Sequence, residues 1–132
     1  MIPKFIRLGL RGEPVPIYGE GYQSRDFTHV DNVVEANLQA AEANVETAAV
    51  NIGGGRRHTL LDLVRLLQRE LGRPLDVRYE PPRPGDVRDT EADITLARRV
   101  IGYSPRVDFE TGLSRTIASL RRAEEEAQVI DA

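Results

Sequence analysis

Leu60, Leu63, Val64, Leu67 and Leu71 fall at the spacing of one helix face. Thr59 stands before them with Asp62 three residues on, the arrangement of a capping box, and Gly72 followed by Pro74 supplies a stop. The same logic predicts a helix over Pro3–Leu10 ended by Gly12 and one from Asp31 to about Ala43, with Asp31 as cap. It also predicts one through Leu96, Ala97, Val100 and Ile101, capped by Asp93 and stopped by Gly102, and one from near Asp108 with Leu113, Ile117 and Leu120 as its stripe. Strands are predicted at Val15–Tyr18, around Phe27–Val30, at Ala49–Ile52, and over Leu75, Val77 and Tyr79, which alternate with polar residues. Gly19-Glu20-Gly21 reads as a turn and Pro81–Asp86 as a proline-rich loop. The expected class is α/β, as an α+β-like small domain of about four short strands and five helices. Residues 1–121 form the domain and 122–132 a frayed helical tail, because Glu124, Glu125 and Glu126 oppose the dipole at the helix end.

At 132 residues, 40% of them hydrophobic and 30% charged, the chain has the composition of an ordinary globular domain. Such a domain buries roughly two-thirds of the surface its unfolded chain exposes, enough for one core. No apolar run nears the ~20 residues of a membrane-spanning helix, and no signal peptide opens the sequence. The net charge of -3 offers no general attraction for nucleic acid or anionic membrane, so any phosphate binding must come from a few placed cations. Absence of cysteine excludes disulfides and thiolate metal sites and fits a reducing cytoplasm. His29 and His58, the only histidines, suggest no metal cluster.

Arg25 lies between a glycine-bearing turn and an apolar stretch, where a guanidinium can be held at a rim and offer paired donors to phosphate; the alternative is an ordinary exposed arginine paired with Asp26 or another carboxylate. Arg83 and Asp86 lie in a loop stiffened by Pro81, Pro82 and Pro84, which lowers the entropy lost on fixing them around a ligand, although a solvated turn around Gly85 is also consistent. Alternation along Pro16, Ile17 and Tyr18 would send Ile17 into the core and leave Tyr18 facing outward, with core packing of Tyr18 as the alternative. Gly53-Gly54-Gly55 invites comparison with phosphate-cradling loops, but it lacks a Gly-x-Gly-x-x-Gly pattern or a Lys-Ser/Thr sequel, and the next helix begins only at Thr59. Arg56, Arg57 and His58 read as a solvated face rather than a nucleic-acid patch.

Four segments in order, Val15-Pro16-Ile17-Tyr18-Gly19, Arg25-Asp26-Phe27-Thr28-His29-Val30-Asp31, Asn51-Ile52-Gly53 and Arg83-Pro84-Gly85-Asp86, resemble the extended short-chain dehydrogenase/reductases. Within that group the resemblance is to the NAD-dependent epimerase/dehydratase family, in particular UDP-glucose 4-epimerase-like nucleotide-sugar enzymes, and it runs from Pro3 to about Leu120. It implies a C-terminal substrate-binding lobe in which Arg25 and Arg83 meet the diphosphate of a nucleoside-diphosphate sugar, UDP-linked, from opposite sides. It further implies that Asp86 accepts from ribose hydroxyls, and that Pro16, Ile17 and Tyr18 surround the base.

The family's Tyr-x-x-x-Lys pair and Gly-rich Rossmann turn do not occur here: Lys4 is the only lysine, and none of Tyr18, Tyr22, Tyr79 and Tyr103 precedes a lysine by four residues. No catalytic residue and no bound cofactor are therefore expected in this chain alone, with NAD belonging to the full-length parent and its N-terminal Rossmann half. The resemblance also implies that the Asp31–Ala43 helix packs on that half, so its apolar face would drive self-association of the isolated chain. A standalone, non-enzymatic interaction module built from the same lobe is the second expectation. A steroid- or flavonoid-type substrate gives no reason for two phosphate-seeking arginines.

Overall fold

The computed structural model describes residues 1–130, with side chains through Glu126. Along the chain run α1 (Ile2–Arg11), β1 (Val15–Tyr18), β2 (Ser24–Arg25), α2 (Val30–Glu42), β3 (His58–Thr59), α3 (Leu60–Leu71), β4 (Val77–Glu80), α4 (Thr95–Ile101) and α5 (Phe109–Ile130). Four strands and five helices among the described residues match the predicted small α/β domain. Two two-stranded sheets pair β1 with β4 and β2 with β3. The chain divides into two compact units, the first made of residues 1–23, 59–86 and 113 onward, the second of 24–58 and 87–112.

In the first unit β1 and β4 run parallel, with Val15 opposite Val77 and Ile17 opposite Tyr79. Val15 and Ile17 are fully buried and alternate with half-buried Pro16 and Tyr18, the period-two pattern expected of β1. The helix α3 starts on the predicted capping box, with the Asp62 amide donating to Thr59 Oγ1 and the Thr59 amide to Asp62 Oδ2, both at 3.0 Å. Both α1 and α3 end on left-handed glycines, Gly12 at φ 71° and Gly72 at φ 68°, which return amides to the last turn. The Arg73 guanidinium donates to the carbonyls of Gly9 and Leu10, satisfying acceptors at the end of α1. A Cβ on Gly9 would lie 2.8 Å from a Leu71 methyl, so glycine there permits the close approach of α1 to the end of α3.

In the second unit a small core of Ala36, Ile94, Ala97 and Tyr103 is flanked by Val50, Ile52, Ala92 and Ile101. Buried Asn32 ties α2 to the segment before α5: its amide nitrogen donates to the Val107 carbonyl at 2.8 Å, and its oxygen accepts from the Arg106 and Val107 amides. The buried positions of α2 are Asn32 and Ala36, while Val30, Val34 and Leu38, one turn apart on the helix, are 63%, 52% and 58% exposed.

Several expectations need correction. The strand expected around Phe27–Val30 lies earlier, at Ser24–Arg25, because the backbone partners of this segment are at Arg88–Thr90: the Ser24 amide donates to Arg88 O and the Asp26 amide to Thr90 O. Ala49–Ile52 is not a strand; Val50 and Ile52 pack on the core, but no neighbouring strand among the described residues supplies a ladder. The α2 cap is His29, whose Nδ1 accepts from the Asp31 amide at 3.2 Å. The fourth strand starts at Val77 because the Leu75 amide turns to Gln68 Oε1, and Tyr79, on the apolar side of the predicted alternation, is 61% exposed. Asp93 sits one residue before the α4 cap position, held by Ile94, while its Oδ1 accepts from the Thr95 amide. Helix α5 continues through Ile130, and the last two residues of the expected 122–132 tail lie outside the described residues.

Candidate functional site

Arg25 is half-buried at the end of β2 in the second unit. Its NH1 nitrogen donates to the Ser24 carbonyl at 2.8 Å and the Arg88 carbonyl at 3.0 Å, which fixes the plane of the guanidinium. Ser24 is buried, and its hydroxyl donates to Asp89 Oδ1 at 2.5 Å. That hydrogen bond holds the Asp89 carboxyl below its ordinary range, with Arg57 and Arg88 adding to the effect.

Asp26, the next residue, accepts four hydrogen bonds. Oδ1 takes the Gly54 amide at 2.7 Å and the Thr28 hydroxyl at 3.4 Å; Oδ2 takes the Gly55 amide at 3.2 Å and the Ala92 amide at 3.3 Å. A Cβ on Gly53 would stand 2.5 Å from both Asp26 Oδ2 and Ala92 Cβ, and one on Gly54 2.9 Å from Asp26 Oδ1. The glycine run is therefore an anion nest filled by the chain's own carboxylate, so it does not fit a dinucleotide pyrophosphate. Tyr103 closes the loop from the core side: its hydroxyl donates to the Gly53 carbonyl at 2.7 Å. Burial, reinforced by the negative charge of Asp26, pushes the Tyr103 hydroxyl above its ordinary pKa.

The other predicted site residues belong to the first unit. Arg83 lies over the Tyr18 ring, its guanidinium carbon 3.7 Å from the centroid, in a cation–π contact. The Tyr18 carbonyl accepts from Gln23 Nε2 at 2.6 Å, and the Asp86 amide donates to the Arg83 carbonyl at 3.2 Å, closing the turn that carries both Arg83 and Asp86. Ile17 has turned into the core, so only its backbone is placed to meet a ligand, while Pro16 is half-buried on the same strand. The fold thus joins Tyr18, Arg83 and the Asp86 turn.

Sequence reasoning passed over Asp26, Gln23 and Tyr103 as site residues. Asp26 stands inside the recognised motif, yet nothing in the spacing announces that it meets Gly54 some 28 residues away. His58, expected on a solvated face, instead stacks on Phe109 at 4.4 Å, and Phe109 stacks on Phe27 at 5.1 Å. Together with Gly54, Arg56 and Val107 they line a recess of about 240 Å³ in the second unit, which none of the six predicted site residues borders. Among the described residues no group of three or more His, Cys, Asp or Glu could hold a metal, and no helix is long and apolar enough to cross a membrane.

Residues 1–53 match the NAD dependent epimerase/dehydratase family. UDP-glucose 4-epimerase of Mycolicibacterium smegmatis is 32% identical over 112 residues, covering 85% of this chain and 36% of that protein. The crystal structure of UDP-glucose 4-epimerase from Thermotoga maritima with UDP-glucose superposes with a TM-score of 0.87 at 40% identity, over 92% of this chain and 39% of that one. UDP-glucuronic acid 4-epimerase from Bacillus cereus, in complex with UDP-glucuronic acid and NAD, superposes at 0.88 with 28% identity, over 93% and 40% of the two chains. The chain spans a little over one third of the length of the curated relatives it matches.

Proposed function

The chain is a partial domain of the NAD dependent epimerase/dehydratase family, and from that premise we propose that it binds the nucleotide part of a UDP-sugar for a UDP-hexose 4-epimerase. The observation that carries the reading is the Arg83 guanidinium held over the Tyr18 ring, beside the turn that bears Asp86. Arg83 contacts the diphosphate, Asp86 accepts from the ribose, and Tyr18 borders the base with the backbone of Pro16 and Ile17; Arg25, in the second unit, is proposed separately as a phosphate-contacting residue. Arginines already restrained by carbonyl or ring contacts lose less entropy on meeting phosphate. The hydride step and its NAD belong to a Rossmann half, since this sequence carries no Tyr-x-x-x-Lys pair. A cysteine-free chain of this kind fits the reducing cytoplasm.

The test is UDP titration of the complete polypeptide that carries this chain. Each of Arg25→Ala and Arg83→Ala removes a charge-assisted hydrogen-bond donor, worth about 1.5–3 kcal/mol or roughly 10- to 150-fold in Kd. Unchanged affinity in both variants would sink the assignment.

The exposed Val30, Val34 and Leu38 stripe of α2 supports a second reading, a non-enzymatic interaction module. It also supports self-association of the isolated chain through that face. Sedimentation of the chain, wild type against Val34→Lys with Leu38→Glu, reads the association: a wild-type chain that is monomeric at high concentration removes it. UDP binding separates the module from the epimerase part.

A further inference from the structure

We infer that Asp26 is a positioning residue for Arg25: its carboxylate fills the glycine nest in order to fix the backbone from which the Arg25 guanidinium reaches its ligand. The inference rests on the proposed role of Arg25 in phosphate binding. A carboxylate offers about four lone-pair sites, and each of the four bonds found at Asp26 comes from a different residue: Thr28, Gly54, Gly55 and Ala92. The loop is shaped around those oxygens, since a Cβ at Gly53 or Gly54 would stand within 2.9 Å of one of them. The backbone of Asp26 is held as well, its amide donating to the Thr90 carbonyl at 3.0 Å.

Arg25 is one peptide bond away, and its NH1 spans carbonyls on two strands of chain, Ser24 and Arg88. Rotation at Asp26 would carry the Arg25 Cα with it and break that two-carbonyl grip. A displacement of about 1 Å is enough to spoil a bidentate phosphate contact. Loosening the opposite side of the loop should not do this, because Tyr103 holds the Gly53 carbonyl and makes none of the bonds that restrain Arg25. Asp26 therefore acts on affinity, whereas Tyr103 acts on stability.

The experiment is a double-mutant cycle on UDP affinity in the complete polypeptide, with Arg25→Ala, Asp26→Asn and both together, and Tyr103→Phe as control. Asparagine keeps the shape of Asp26 but turns one acceptor into a donor facing a backbone amide. Asp26→Asn is expected to weaken UDP about tenfold in the wild-type background and less than twofold in the Arg25→Ala background, while Tyr103→Phe lowers Tm and leaves Kd within twofold. If Asp26→Asn does not fold, Asp26→Glu, which keeps the charge and displaces the oxygens, takes its place in the cycle. Losses that add across the cycle, an Asp26 variant that folds with unchanged affinity, or loss of the fold in both variants would each overturn the inference. If Arg25→Ala leaves UDP affinity unchanged, it is the phosphate role of Arg25 that fails, a result distinct from additive losses.

Discussion

Tyr103→Phe removes one oxygen from a fully buried side chain and leaves the ring in place. The hydroxyl donates to the Gly53 carbonyl at 2.7 Å, and Gly53 is itself buried, so the variant loses a hydrogen bond and strips a donor from a carbonyl with little access to water. A net hydrogen bond contributes about 0.5–1.5 kcal/mol and a buried group left unsatisfied costs about 1–3, so the expected loss is about 1.5 kcal/mol, or roughly 5 °C in Tm. The pH dependence gives a sharper check. Burial and the Asp26 charge raise the Tyr103 pKa above its ordinary 10.0. Above about pH 10 the unfolded chain therefore releases this proton while the folded chain keeps it; the unfolded state binds fewer protons, and stability falls as pH rises. Phenylalanine has no proton to lose, so the stability gap between wild type and variant should narrow above pH 10. Urea denaturation followed by circular dichroism, at neutral pH and at several values above about pH 10, measures both effects. A gap below about 0.3 kcal/mol at neutral pH, or one constant through the alkaline range, would refute the reasoning.

Thr59→Ala breaks the capping box of α3 and should cost about 1 kcal/mol in chemical denaturation; no change would mean that the helix start is held by packing alone. Gly53→Ala places a methyl 2.5 Å from Asp26 Oδ2 and Ala92 Cβ and should destabilise by about 2–3 kcal/mol, against about 1 for Gly72→Ala, where the space is open and only the positive φ opposes a side chain. Equal costs for the two would contradict a nest built around the carboxylate. Ser24→Ala removes the hydrogen bond that depresses Asp89. The wild type holds that stability above the ordinary carboxylate value of 3.8 and loses it as pH falls through the lower folded value. Acid unfolding of the variant should accordingly show a shallower fall below about pH 4, and an identical acid limb would count against the Ser24–Asp89 bond.

Local signals that act within a few residues were legible in the sequence. The capping box at Thr59 and Asp62, the stripe from Leu60 to Leu71, the stops at Gly12, Gly72 and Gly102 and the alternation along β1 depend on helical or strand periodicity and on backbone conformations that favour glycine. The motif residues Arg25, Arg83 and Asp86 were legible as types in an order. What each one touches was not. Whether Ala49–Ile52 becomes a strand depends on a neighbour to complete its ladder, and whether β2 begins at Ser24 or Phe27 depends on where Arg88–Thr90 arrives. The filling of the glycine nest by Asp26, the Tyr103 bond to Gly53 and the Arg83–Tyr18 stack join residues 28, 50 and 65 positions apart. Hydrogen bonds and ring contacts act over a few ångströms of space, and only the folded chain brings such distant positions that close.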